Sequence, residues 1–95
     1  MGTAKDIFKY PVFLYQNGML IRIYPNSAYH NIFELQYHHY IRQQWIRNHK
    51  EEFKKVEHLQ KLFLIPTEMH NDIHSRHSKF FQKWGYDLKE FIYDS

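Results

Sequence analysis

Two histidines, His70 and His74, lie four residues apart in a segment that the sequence predicts to be an α-helix. The helix is expected to begin after Pro66, which cannot continue a helix towards its N-terminus, with Thr67 as the N-cap. Because residues four apart lie one turn apart on the same helical face, both imidazoles can reach a single metal ion. A solvated helix face explains the same spacing equally well in a chain with 8 histidines.

A second feature, the adjacent pair His38 and His39, favours the metal interpretation. Side chains of neighbouring strand residues point in opposite directions, so the two cannot both face one ion from a regular strand. The pair makes chemical sense if one imidazole binds the metal and the other approaches a substrate from elsewhere. An imidazole outside the metal site titrates near neutral pH and can remove a proton from an attacking water molecule.

The composition limits the kinds of site and partner. The chain has 95 residues, a formal net charge of +3 and no cysteine, so disulfides and thiolate zinc sites are excluded. Any metal must be held by imidazole and oxygen ligands. The mild basic bias suits a polyanionic partner without requiring one. No apolar run approaches the length of about 20 residues needed to cross a bilayer. No signal peptide is visible, and Met1-Gly2 is expected to mark a domain cut from a longer chain.

Two β-prone runs, 11–16 and 19–24, flank Asn17-Gly18, which is the strongest short signal for a β-hairpin. We interpret this hairpin as scaffold. The nine residues at the N-terminus show no clear periodicity.

The rest of the chain predicts alternating strands and helices, and therefore an α+β fold. Phe33, Leu35 and Tyr37 alternate with polar residues, which favours a short strand ending near the histidine pair over a helix. A helix is expected over 41–58, and an apolar strand over 61–65 leads into the histidine helix, which should end at Gly85. A short helix over 88–93 closes the chain.

This order of elements resembles the HNH/ββα-metal (His-Me finger) nucleases, which include colicin-type DNases and the C-terminal nuclease domains of bacterial polymorphic toxins. The match covers residues 34–77 at most, with 34–39 on the first side and 62–74 on the second. The resemblance implies that His38, His70 and His74 bind a divalent metal ion and that His39 is the general base. Zinc, nickel, manganese and magnesium are all compatible with such ligands in principle.

The resemblance also divides the chain. The single domain over 1–95 would comprise a hairpin scaffold (1–27), a ββα-metal core with an inserted helix (28–85) and a short C-terminal helix (86–95). The family typically has an Asn just before the second strand, and this Asn braces the loop by hydrogen bonding. The nearest residue in this chain is Gln60. We assign it the same supporting role, because Gln makes the same kinds of hydrogen bond.

Several charged and polar residues that follow the second histidine pair are candidates for contacts with phosphate. Arg76, His77 and Lys79 follow the ligand residues and are candidates for binding phosphate, although a solvated surface explains them at least as well. His77 is also a spare metal ligand. Asp72 lies between the helix ligands in sequence and is expected to be a surface charge.

The implied function is metal-dependent hydrolysis of phosphodiester bonds, with DNA as the expected substrate, leaving 5′-phosphate and 3′-hydroxyl ends. The resemblance implies an antibacterial toxin domain, secreted as part of a larger protein, delivered into the cytoplasm of a competing cell and neutralised by an acidic immunity protein. The alternative is a non-enzymatic nucleic-acid-binding domain in which His38, His70, His74 and His77 close a structural metal site. A third hypothesis is a helical interaction domain without metal.

Overall fold

The computed structural model describes residues 3–75 and 91–93, and side chains from residue 6 onward within these ranges. The helices are α1 (Thr3–Lys9), α2 (Gln43–Asn48), α3 (Lys50–Val56) and α4 (Thr67–Ser75), with 3-10 turns at Ala28–Asn31 and Glu57–Leu59. The strands are β1 (Val12–Gln16), β2 (Met19–Ile23), β3 (Leu35–His39) and β4 (Leu62–Pro66). The predicted α+β class is confirmed.

The four strands form one sheet in the order β2-β1-β4-β3. β1 and β2 form the predicted antiparallel hairpin, while β4 pairs parallel with β1 and antiparallel with β3. The turn between β1 and β2 places Asn17 at φ 52° and Gly18 at φ 76°. Positive φ at both central residues is the geometry for which Asn-Gly is favoured, so the local sequence sets the hairpin register.

β4 is an inner strand with both faces buried, since Leu62, Phe63, Leu64 and Ile65 are each at most 1% exposed. Side chains alternate between the two faces, so β4 contributes to two cores. The core on the α4 side contains Phe63, Ile65, Met69, Ile73 and Phe91. The core on the opposite side contains Val12, Leu14, Ile23, Leu62 and Leu64, against which Ile7 of α1 packs.

Two regions differ from the sequence-based expectation. The N-terminal segment forms a helix, α1, because Ile7 docks on the sheet and supplies tertiary packing that no local periodicity signals. The helix expected over 41–58 is interrupted at His49, whose backbone angles of φ −137° and ψ 53° separate α2 from α3. The predicted end of the histidine helix at Gly85 lies outside the described residues, as do residues 88–90 of the short helix predicted over 88–93. The described residues 91–93 are not helical, so a helix does not extend to Tyr93. None of the helices in the described part of the chain is long and apolar enough to span a membrane.

Candidate metal centre

The direct passage from β4 into α4 sets the geometry of the site. α4 begins at Thr67, immediately after Pro66 ends the strand. The Thr67 backbone N–H and hydroxyl both donate hydrogen bonds to the Glu34 carbonyl oxygen, at 3.1 and 3.2 Å. The start of the helix is therefore fastened to the residue that precedes β3, and α4 lies beside that strand.

The register of β3 decides which of its side chains face α4. Gln36 pairs with Ile65 and His38 pairs with Phe63, and both partners belong to the core on the α4 side. Met69 and Ile73 of α4 are fully buried in that core. His70 directly follows Met69 in the sequence, and His74 directly follows Ile73.

The structure brings His38, His70 and His74 together. Each offers one ligand atom, and the three atoms lie within 4.8 Å of one another. His38 is buried at 3% exposure, His70 is half-buried and His74 is exposed, so the cluster opens from the core towards solvent. The two ends of the chain segment carrying the resemblance therefore converge.

Hydrogen bonds occupy the other ring nitrogens of two of these histidines. His38 Nε2 donates to the Phe91 carbonyl oxygen at 2.5 Å, which leaves Nδ1 with a lone pair. His70 Nδ1 donates to Gln36 Oε1 at 2.9 Å, which leaves Nε2 with a lone pair. Metal-binding histidines characteristically carry such an orienting partner on the second nitrogen. Sequence reasoning missed Gln36, although its position two residues before His38 puts it on the same strand face.

His70 and His74 present the same type of nitrogen to each other. Their Nε2 atoms lie 2.8 Å apart. Because His70 has its proton on Nδ1, a proton on His74 Nε2 must bridge the pair in the metal-free protein, since two lone pairs would repel. A cation between the rings can take the place of that proton.

The cluster is electrostatically suited to a cation. Burial, reinforced by the neighbouring imidazoles, lowers the pKa of His38 to about 4, although its hydrogen bond to Phe91 opposes the shift. Burial and then the proximity of His74 and His39 lower the pKa of His70 to about 4. Burial and then the charge of Arg42 lower the pKa of His74. The imidazoles are therefore neutral at neutral pH, as metal ligands must be.

The spacing also fits a small divalent ion. Nitrogens that bind zinc tetrahedrally at their usual bond length would lie about 3.3 Å apart. The distance of 2.8 Å between the Nε2 atoms of His70 and His74 and the limit of 4.8 Å for the whole cluster bracket this value. The three ligands found among the described residues leave a coordination position open, which is the arrangement of catalytic rather than structural zinc sites.

His39 lies beside the cluster but does not belong to it. It lines the same cleft, of about 230 Å³, as the three histidines, together with Tyr37, Arg42 and Gln43. His39 Nε2 donates a hydrogen bond to Asp6 Oδ2 of α1 at 2.9 Å. Sequence reasoning missed Asp6, because 33 residues separate it from His39 and no local pattern connects them.

Gln60 is buried and makes three hydrogen bonds to the backbone. Its Oε1 accepts from the backbone N–H groups of Ile41 and Lys61, and its Nε2 donates to the Ile41 carbonyl oxygen. The side chain thus connects the chain leaving β3 to the residue preceding β4. These are the contacts that a bracing role requires, and the functional part of that role stays a prediction.

Of the other residues singled out from the sequence near the second histidine pair, only Asp72 lies within the described part of the chain. Arg76, His77 and Lys79 lie outside the described residues. Asp72 was expected to be a surface charge, which is wrong: it is only 7% exposed and lies on the inner face of α4. The reason is its position one residue before Ile73, close to the helix face that packs on the core.

Comparisons of the chain with protein-family models, with curated proteins and with solved structures found no match. Inferences about function therefore depend on the residues and on the geometry of the cleft.

Proposed function

We propose that the protein is a metal-dependent endonuclease of the HNH type that hydrolyses phosphodiester bonds, with DNA as the preferred substrate. The observation that carries this proposal is the convergence of His38, His70 and His74, drawn from two distant segments, with His39 on the wall of the same cleft. Three neutral imidazoles and an adjacent fourth histidine supply a cation site and a base.

The roles follow from the contacts of each side chain. His38, His70 and His74 would hold the divalent ion, which when bound neutralises phosphate charge and stabilises the leaving alkoxide. His39 has its proton on Nε2, directed at Asp6, so Nδ1 carries the lone pair that can take a proton from the attacking water. Arg42 lines the cleft and can bind phosphate oxygens.

The wider setting is proposed from the resemblance to toxin nucleases. The domain would be part of a larger secreted toxin that reaches the cytoplasm of a competing cell, with an acidic immunity protein as partner in the producer. The net charge of +3 supports both a nucleic-acid substrate and an acidic inhibitor, because each would be attracted to a basic surface.

The test is incubation of the purified protein with plasmid DNA and, separately, zinc, nickel, manganese or magnesium, with a chelator as the negative control. We expect nicking that depends on the metal ion. His39→Ala should retain metal binding by calorimetry and lose about 10²- to 10⁴-fold in cleavage rate, the contribution typical of a general base. His58→Ala is the matched control, because His58 is an exposed histidine that does not line the cleft.

Unchanged cleavage by His39→Ala, or cleavage that persists in chelator, would contradict the proposal.

The same experiment distinguishes the nuclease from the alternative, a nucleic-acid-binding domain with a structural metal site. A non-enzymatic domain would bind metal without nicking DNA. Among the described residues the cluster contains three ligands and one of them is exposed, which favours an open site over a closed one.

A further inference from the structure

The helix α1 lies outside the segment that carries the nuclease resemblance, yet it places a carboxylate against the candidate base. We propose that Asp6 is a positioning residue that holds the His39 imidazole in the tautomer with the proton on Nε2 and the lone pair on Nδ1. The catalytic consequence of this contact depends on the proposed nuclease function, whereas the tautomer itself does not.

The geometry of the contact determines where the proton lies. His39 Nε2 and Asp6 Oδ2 are 2.9 Å apart, and the two side chains are only 12% and 23% exposed. A carboxylate can only accept a hydrogen bond, so the facing ring nitrogen must be the one that carries hydrogen. A neutral His39 in this position has its second nitrogen, Nδ1, unprotonated and able to act as a base.

A competing contact makes the carboxylate necessary. The amide nitrogen of Gln43 lies 3.4 Å from the same His39 Nε2 atom. An amide N–H donates, so Gln43 alone would favour a lone pair on Nε2 and a proton on Nδ1, which is the opposite tautomer. The hydrogen bond to Asp6 determines the tautomer, because it is shorter than the contact with Gln43 and its acceptor is a carboxylate. Hydrogen bonds to a charged acceptor are stronger than those between neutral groups.

The position of α1 does not depend on Asp6. The helix leads through Pro11 into β1, where Val12 is fully buried, and the Leu62 N–H donates to the Pro11 carbonyl oxygen at 2.9 Å. Ile7 packs on the core beneath the helix. Removal of the Asp6 carboxylate should therefore leave α1 in place, so its effect on His39 can be measured separately from any loss of structure.

The experiment compares the unaltered protein with Asp6→Ala and with Glu57→Ala. Glu57→Ala also removes a carboxylate that contacts the end of α1, but one that does not touch His39. The first readout is the ¹⁵N spectrum of the histidine rings in metal-free, mildly alkaline solution, with the His39 signals assigned from the His39→Ala variant. We expect His39 to carry its proton on Nε2 in the unaltered protein and in Glu57→Ala, and to lose this preference in Asp6→Ala.

The second readout is metal-dependent cleavage of DNA. We expect Asp6→Ala to lower kcat by about 10- to 100-fold with KM and metal affinity unchanged, as for partners that orient a functional histidine. Glu57→Ala should cleave at the normal rate.

The outcomes separate the two proposals. A proton on Nδ1 of His39 in the unaltered protein would overturn the role of Asp6, and this measurement needs no variant to fold. A ring spectrum unchanged by Asp6→Ala would overturn it as well. Absence of cleavage by the unaltered protein with every ion refutes the nuclease function, while the spectrum still decides whether Asp6 sets the tautomer.

Discussion

The buried imidazole of His38 predicts a specific loss of stability in acid when no metal is present. Burial lowers the pKa of His38 from 6.5 to about 4 in the folded protein, whereas the unfolded chain keeps the ordinary value. The unfolded state therefore binds the proton more tightly, and stability falls as the pH drops below the unfolded pKa towards the folded one. From about pH 7 to about pH 4 the loss from this residue alone is about 3 kcal/mol.

This amount is a large share of the stability of about 5–15 kcal/mol that is typical of a small domain. The assay is urea unfolding followed by circular dichroism at a series of pH values in the presence of a chelator. Carboxylates titrate in the same range, so the informative quantity is the difference in pH dependence between the unaltered protein and His38→Gln. Between about pH 7 and about pH 4, the free energy of unfolding of His38→Gln should fall less than that of the unaltered protein. We expect this difference to be most of the roughly 3 kcal/mol that one buried imidazole contributes.

His58→Gln is the matched control, because it also removes one imidazole, but from an exposed position. It should leave the pH dependence close to that of the unaltered protein. If His38→Gln and the unaltered protein lose the same free energy of unfolding between neutral and acidic pH, then His38 is not held neutral by burial. The electrostatic account of the metal centre would then be wrong.

Three further changes test other parts of the structure. Gln36→Leu removes the acceptor for His70 Nδ1 and should weaken zinc binding about 10- to 100-fold by calorimetry. Gln44→Leu on the exposed surface of α2 should have no effect. Gln60→Leu removes the partner of two buried backbone groups of Ile41 and of the partly buried Lys61 N–H, and should lower the free energy of unfolding in urea by about 3 kcal/mol. Gly18→Ala should cost about 1 kcal/mol in the same assay, because its φ of 76° is unfavourable for a residue with a Cβ atom; an unchanged midpoint would contradict the turn geometry.

The elements that the sequence predicted well are those determined by neighbouring residues. The Asn17-Gly18 turn, the apolar run of β4 and the start of α4 after Pro66 each have a local cause, and the structure contains all three. The convergence of the three histidines was implied by the resemblance to the HNH nucleases, which rests on the order of a strand ending in two histidines, an insertion, a second strand and a histidine-bearing helix.

The parts that the sequence did not predict depend on contacts between distant segments. α1 exists because Ile7 packs against the sheet, and Asp6 reaches His39 only once that helix is docked. The break at His49 is the exception, because the contacts there are local. Its ring stacks on Trp45 and its Nδ1 bonds to the Trp45 carbonyl oxygen, which are contacts that a continuous helical pattern does not reveal.

The place of β3 at the edge of the sheet explains how two adjacent histidines can serve one cleft. From an inner strand, His38 and His39 would be separated by the sheet, since their side chains leave opposite faces. Within residues 3–75 and 91–93, β3 pairs with a strand on one side only, β4, and its other side borders a cleft that both faces can reach. His38 enters this cleft from the α4 side, where His70 and His74 lie, and His39 enters from the α1 side, where Asp6 accepts its hydrogen bond. In the proposed nuclease, a cation held by His38, His70 and His74 and a base oriented by α1 would therefore act on one phosphate without competing for the same ligands.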